Sequence, residues 1–251
     1  MIVRRNLPWL LTGIFALLLI GSLAANWLLF IYVQEYYIEL QMTRLDPLGW
    51  SYFAESTVTQ EDGITAVFFG DSRAAQWPNP DGLADTHFVN RGIGAQTSAQ
   101  IVARFDEHVR PLHPDILIIQ MCINDLKTIP LFPHSSEQIV ANCQQNIRQV
   151  VEQASAMDTT VILTTIFPVG EFPIERRLYW SPEIETAVAQ VNTYIQTLAA
   201  ENILILDAHT LLTDESGKLR PEFATDELHL NETGYTHLNT TLTQTLNQLT
   251  K

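Results

Sequence analysis

The chain has 251 residues, 46% of them apolar, enough for one globular domain with a full hydrophobic core. Its net charge is −14 at pH 7, yet residues 1–50 balance, with Arg4, Arg5 and Arg44 against Glu35, Glu39 and Asp46. The acidic excess therefore lies in residues 51–251, where it repels phosphate backbones and excludes nucleic acid as a partner.

In chain order, the first feature is a run from Leu7 to Val33 without a charged residue. A helix of about 20 apolar residues crosses a bilayer, so the run predicts a transmembrane signal-anchor over 7–33. Arg4 and Arg5 place residues 1–6 in the cytoplasm and the C-terminal bulk outside it, periplasmic or extracellular. Trp9 at one end, and Trp27, Tyr32, Tyr36 and Tyr37 toward the other, suit the membrane interfaces. A cleaved signal peptide is the alternative, with "SLAAN" (22–26) as its small-residue site, but the apolar run continues past that site through "WLLFIYV". The next stretch, residues 34–62, is amphipathic up to the "DPLG" breaker and reads as a helical stalk and linker.

From residue 63 short apolar runs alternate with helical spacing. The runs are 64–70, 87–92, 115–121, 160–167 and 202–208, and the predicted helices are 98–110, 136–154, 183–200 and 232–249. Such alternation predicts an α/β domain over 63–251, a parallel sheet of about five strands covered on both faces. Cys122 and Cys143 read as two buried free thiols, although an exported compartment permits them to pair.

In a parallel sheet the ligand binds beyond the carboxyl ends of the strands. The polar segments there are "GDSRA" (70–74), "NRGIGAQTS" (90–98) and "CINDL" (122–126), joined late in the chain by "DELHLNETGY" (226–235). Taken singly they are ordinary: a serine between strand and helix is most often an N-cap, and Gly-rich backbone makes turns. Taken together they supply a hydroxyl nucleophile, a histidine base, a carboxylate three residues before that histidine, and amide donors for an oxyanion. Ala74 stands where a Gly-x-Ser-x-Gly elbow needs its second glycine, so that motif is not the explanation.

On these four blocks the chain, over roughly residues 64–249, resembles the SGNH hydrolases, also called GDSL esterases and lipases. The resemblance implies a three-layer α/β/α, flavodoxin-like fold. It implies Ser72 as nucleophile with His229 and Asp226 completing a triad, and an oxyanion hole from the N–H groups of Ser72 and Ala95 and the amide of Asn124, with Gly94 as the fallback for Ala95. Three positions depart from the family pattern: Arg73 replaces the motif leucine, Cys122 replaces the glycine of the third block, and Ala95 stands where the second block has its oxyanion glycine, with Gly94 one position earlier.

The expected activity is hydrolysis of acyl esters, short-chain ones such as O-acetyl foremost, on an envelope glycan or lipid. An O-acyltransferase acting on a polysaccharide, and a non-catalytic glycan-binding or assembly protein, are the alternatives. Arg73, Cys122, Tyr179 and Trp180 are candidate substrate contacts, the last two from the long segment 167–182. The seven histidines show no metal-ligand spacing, so no metal and no cofactor is expected. The expected partners are the ester substrate and the membrane. The oligomeric state has no signal in the sequence.

Overall fold

A computed structural model of the chain describes residues 3–54, 63–176 and 179–249. Residues 55–62 of the expected stalk, and Arg177 of the long 167–182 segment, lie outside the described residues. The chain divides into two compact units, Met1–Pro47 and Leu48–Lys251.

The first unit is one helix, α1 (Val3–Leu45), with Pro8 inside it. Its Pro8–Leu45 portion is long and apolar enough to cross a membrane, with a mean hydropathy of 2.3 in its most apolar window. The same properties suit a signal sequence.

In the second unit the elements run β1 (Ile64–Gly70), α2 (Ser72–Ala75), β2 (Thr86–Gly92), α3 (Ser98–Ala103), α4 (Phe105–His108), β3 (Ile116–Gln120) and α5 (Ile123–Leu126). Then follow α6 (Ser136–Ser155), β4 (Thr160–Thr164), α7 (Pro182–Gln196), β5 (Ile203–Leu206), α8 (Ala208–Leu212) and α9 (Glu232–Leu249). The five strands form one parallel sheet in the order β2-β1-β3-β4-β5. The expected α/β architecture is the observed one.

Alternation along each strand sorts the core into two layers. Val67, Phe69, Leu117, Ile119, Val161 and Leu163 face α3, α4, α6 and α7. Ala66, Phe68, Ile116, Ile118 and Ile162 face α8 and α9, where Leu238, Leu242 and Leu246 recur every four residues. Each fully buried Leu, Ile or Phe contributes roughly 1.5–3 kcal/mol of transfer free energy, which is why strands apolar on both faces settle in the middle of the sandwich.

The helix expected over 98–110 is broken at Arg104. The guanidinium of Arg104 is fully buried and donates to the carbonyls of Gly70 and Arg91 and to Gln96. A buried cation must be saturated with acceptors, and the break between α3 and α4 turns this side chain under the sheet edge to find them.

The two cysteines are paired, not free: Cys122 and Cys143 form a disulfide with their α-carbons 5.9 Å apart. Cys143 lies on the inner face of α6, which packs against the loop carrying Cys122, a juxtaposition that a separation of 21 residues does not reveal.

Candidate active site

In the strand order 2-1-3-4-5 the crossovers leaving β1 and β3 depart to opposite faces, and a crevice opens between their carboxyl ends. The segments that follow these two strands carry Ser72 and Asn124. Two glycines allow the close approach. A Cβ on Gly70 would lie 1.8 Å from the carbonyl oxygen of Gln120, and one on Gly92 would lie 2.1 Å from the backbone nitrogen of Ala75.

Ser72 opens α2 but does not cap it. The cap is Asp71, whose Oδ1 accepts the backbone N–H of Arg73 at 2.9 Å. That leaves the Ser72 hydroxyl for His229, with Oγ to Nε2 at 2.9 Å. On the other side of the ring, His229 Nδ1 lies 2.9 Å from Asp226 Oδ2. The Asp226 carboxylate also accepts the N–H groups of Leu228 and His229, each at 2.8 Å. Burial raises its pKa, but these donors and His229 more than offset that, so the carboxyl lies below its ordinary range. An anionic acceptor at Nδ1 favours the tautomer that leaves Nε2 as the acceptor facing Ser72.

The amide donors gather on the other side of Ser72. Asn124 is buried and spends one N–H on the carbonyl of Gln96 at 3.0 Å, which leaves its second N–H free to donate. The Ser72 and Ala95 backbone N–H groups have no hydrogen-bond acceptor among the described residues. Ala95 has φ +62°, the left-handed region that favours glycine, whereas the neighbouring Gly94 does not. Cys122, just before α5, has φ +90°. Glycine there would supply backbone conformation rather than the close packing that its small size suggests.

Arg73 lines the cleft beside Ser72 and His229, but its guanidinium is engaged with main-chain carbonyls. Its guanidinium is fully buried, with Nε donating to the carbonyl of Leu228 at 2.8 Å and Nη1 to that of Phe167 at 3.2 Å. It thus ties α2 to the loop bearing Asp226 and His229, because an arginine driven inside by the fold needs carbonyl acceptors and this loop offers them.

Ser72, Arg73, Ala95, Asn124, Lys127 and His229 border a cleft of about 130 Å³. A larger groove of about 560 Å³ lies between α6 and α7, away from the Ser72–His229 pair. Cys122 is buried in its disulfide, Trp180 stacks on Phe172 with ring centroids 3.7 Å apart, and Tyr179 is exposed. None of these three borders the cleft. Lys127 does, and was missed; its signal was its place one helical turn after Asn124. Among the described residues no group of three His, Cys, Asp or Glu side chains is gathered to hold a metal ion.

Asp71 carries a pH signature. Burial pushes its carboxyl from 3.8 up to about 6, with Arg73 opposing the shift. Between those values the folded state binds more protons than the unfolded one, so this group's contribution to stability falls as pH rises and levels off above about 6. Urea unfolding from pH 4.5 to 7.5 should show a component of up to about 1.4 kcal/mol per pH unit that Asp71→Asn removes. Parallel pH curves for the two proteins would refute it.

Residues 62–237 match the GDSL-like lipase/acylhydrolase family. No curated protein matches the chain. Among solved structures the chain is similar to a proposed acylhydrolase from Bacteroides fragilis NCTC 9343, at 27% identity and a TM-score of 0.63, covering 81% of this chain and 96% of that one. It is also similar to a GDSL-like lipase from Bacteroides thetaiotaomicron VPI-5482, at 24% identity and a TM-score of 0.65, covering 80% and 98%. A third is an acetyl xylan esterase variant from Geobacillus stearothermophilus, at 22% identity and a TM-score of 0.57, covering 73% and 94%.

Proposed function

Because the chain belongs to the GDSL-like lipase/acylhydrolase family, we propose that it is a serine esterase that removes short acyl groups, O-acetyl foremost, from an envelope glycan or lipid. The observation that carries this reading is the relay of two 2.9 Å contacts, Ser72 Oγ to His229 Nε2 and His229 Nδ1 to Asp226 Oδ2.

The geometry supports the following course of reaction. As Ser72 Oγ attacks the ester carbonyl, its proton passes to His229 Nε2. Asp226 holds the ring and stabilises the imidazolium. The developing oxyanion takes hydrogen bonds from the N–H groups of Ser72 and Ala95 and the free N–H of Asn124. His229 then gives its proton to the departing alcohol oxygen, and the C–O bond breaks to leave an acyl-serine. A water molecule, deprotonated by His229, attacks the acyl-serine. The acid leaves, and the proton returns to Ser72. The cleft of about 130 Å³ suits an acetyl-sized group, and one neighbour of the same fold is an acetyl xylan esterase.

The proposed setting is outside the cytoplasmic membrane, with α1 as an anchor. Arg4 and Arg5 before the apolar run support that orientation. The Cys122–Cys143 disulfide supports it independently, since such bonds persist in oxidising compartments.

The test uses the full-length protein in detergent. A fluorophosphonate probe should label it once, with the adduct mapped by mass spectrometry to Ser72. p-Nitrophenyl acetate should be turned over faster than the palmitate ester. An adduct on any other residue, or no labelling, overturns the assignment.

A further inference from the structure

Lys127 places an ammonium beside the proposed nucleophile. It lies one turn after Asn124, is half-buried, and borders the same cleft as Ser72 and His229. Among the described residues its ammonium has no carboxylate within ion-pairing distance. Burial pushes its pKa down, with Asp71 opposing the shift and Arg176 and Arg73 reinforcing it.

Most of the other charges around the cleft are held by fixed partners. Asp226 is held by His229 and two backbone N–H groups. Glu227 pairs with Arg176. Asp125 accepts the N–H and hydroxyl of Ser98. Asp71 is fully buried, its Oδ1 caps α2 while its Oδ2 has no hydrogen-bond partner, and it attracts Arg73 as well as Lys127, whereas the Arg73 guanidinium donates to main-chain carbonyls. The positive charge of Lys127 stands outside these pairings, in a chain whose net charge of −14 supplies no general attraction for anions.

A ligand filling the cleft strips the remaining water from this ammonium. A neutral ligand leaves a desolvated, unpaired cation, which is costly. An anionic one replaces the lost water with a charge-assisted hydrogen bond. Building on the esterase reading above, we propose that the substrate is an anionic ester, with a carboxylate or phosphate within a lysine's reach of the scissile carbonyl, and that Lys127 selects it.

Three neutral–anionic pairs, in two sets, test this on the full-length protein. Phenyl acetate against 4-carboxyphenyl acetate and 4-acetoxyphenyl phosphate puts the charge on the alcohol side. p-Nitrophenyl butyrate against p-nitrophenyl hemisuccinate puts it on the acyl side. The wild type should favour the anionic member of at least one pair in kcat/KM. That anionic-to-neutral ratio should fall at least tenfold in Lys127→Gln, fall further in Lys127→Glu, and be largely kept in Lys127→Arg. Which set responds tells the alcohol side from the acyl side, and the carboxylate from the phosphate. A ratio that Lys127→Gln leaves unchanged in every pair overturns the proposal, even with every ester turned over. If the wild type hydrolyses none of the five, the esterase reading fails and this proposal with it.

Discussion

Replacing Ser72 by alanine is expected to lower kcat/KM for p-nitrophenyl acetate by at least about 10³-fold while leaving the protein folded. The hydroxyl has one side-chain partner, His229, and lies at the mouth of the cleft, so its loss opens no cavity in the core. His229→Ala should cost about as much, and the double variant little more than either single one, because nucleophile and base act as a unit. Steady-state hydrolysis with thermal melts of the three variants provides the check. Wild-type turnover by Ser72→Ala, or losses that multiply in the double variant, would remove the triad from consideration.

The second large effect belongs to the disulfide. Cys122 and Cys143 close a loop over a separation of 21 residues, and constraining the unfolded chain to that extent is worth about 3 kcal/mol. Cys143→Ala should therefore lower Tm by roughly 6–12 °C for a domain of this size. It also leaves Cys122 alone at φ +90°, a conformation that costs a residue with a side chain on the order of 1–3 kcal/mol. Asn124 sits two residues further on, so hydrolysis should weaken too. The double variant Cys122→Gly, Cys143→Ala loses the same bond but relieves the backbone, and part of both losses should return. Equal melting temperatures for the single and double variants would mean that the left-handed backbone at residue 122 is not a significant cost.

Much of the frame was legible because its signals are local. The run "ITAVFFG" (64–70) is apolar on consecutive residues and ends in a glycine, and it forms β1, buried on both faces. Residues 136–154 carry apolar side chains at helical spacing and form α6, with that stripe against the sheet. The polar segments after β1 and β3 were legible as one edge of the sheet, since parallel strands bring their carboxyl ends together. Ser72 and His229, 157 residues apart, meet there within hydrogen-bond distance.

Other features left no local trace. Arg73, beside a serine in an open crevice, looked like a substrate contact, yet its guanidinium turns inward to carbonyls contributed by Phe167 and Leu228. The cysteines read as separate thiols until α6 packed over the loop after β3. Lys127 leaves no mark in the sequence because a single lysine has no pattern, and that its ammonium has no carboxylate within ion-pairing distance among the described residues is a property of the packed chain. Hydrophobic period, turn chemistry and motif spacing are properties of a few consecutive residues, so the order of strands and helices and the choice of Ser72, Asp226 and His229 were contained in the sequence itself. Which way a buried arginine points, which thiols meet, and which charge is left over depend on distances between segments far apart in the chain, and only packing sets those distances.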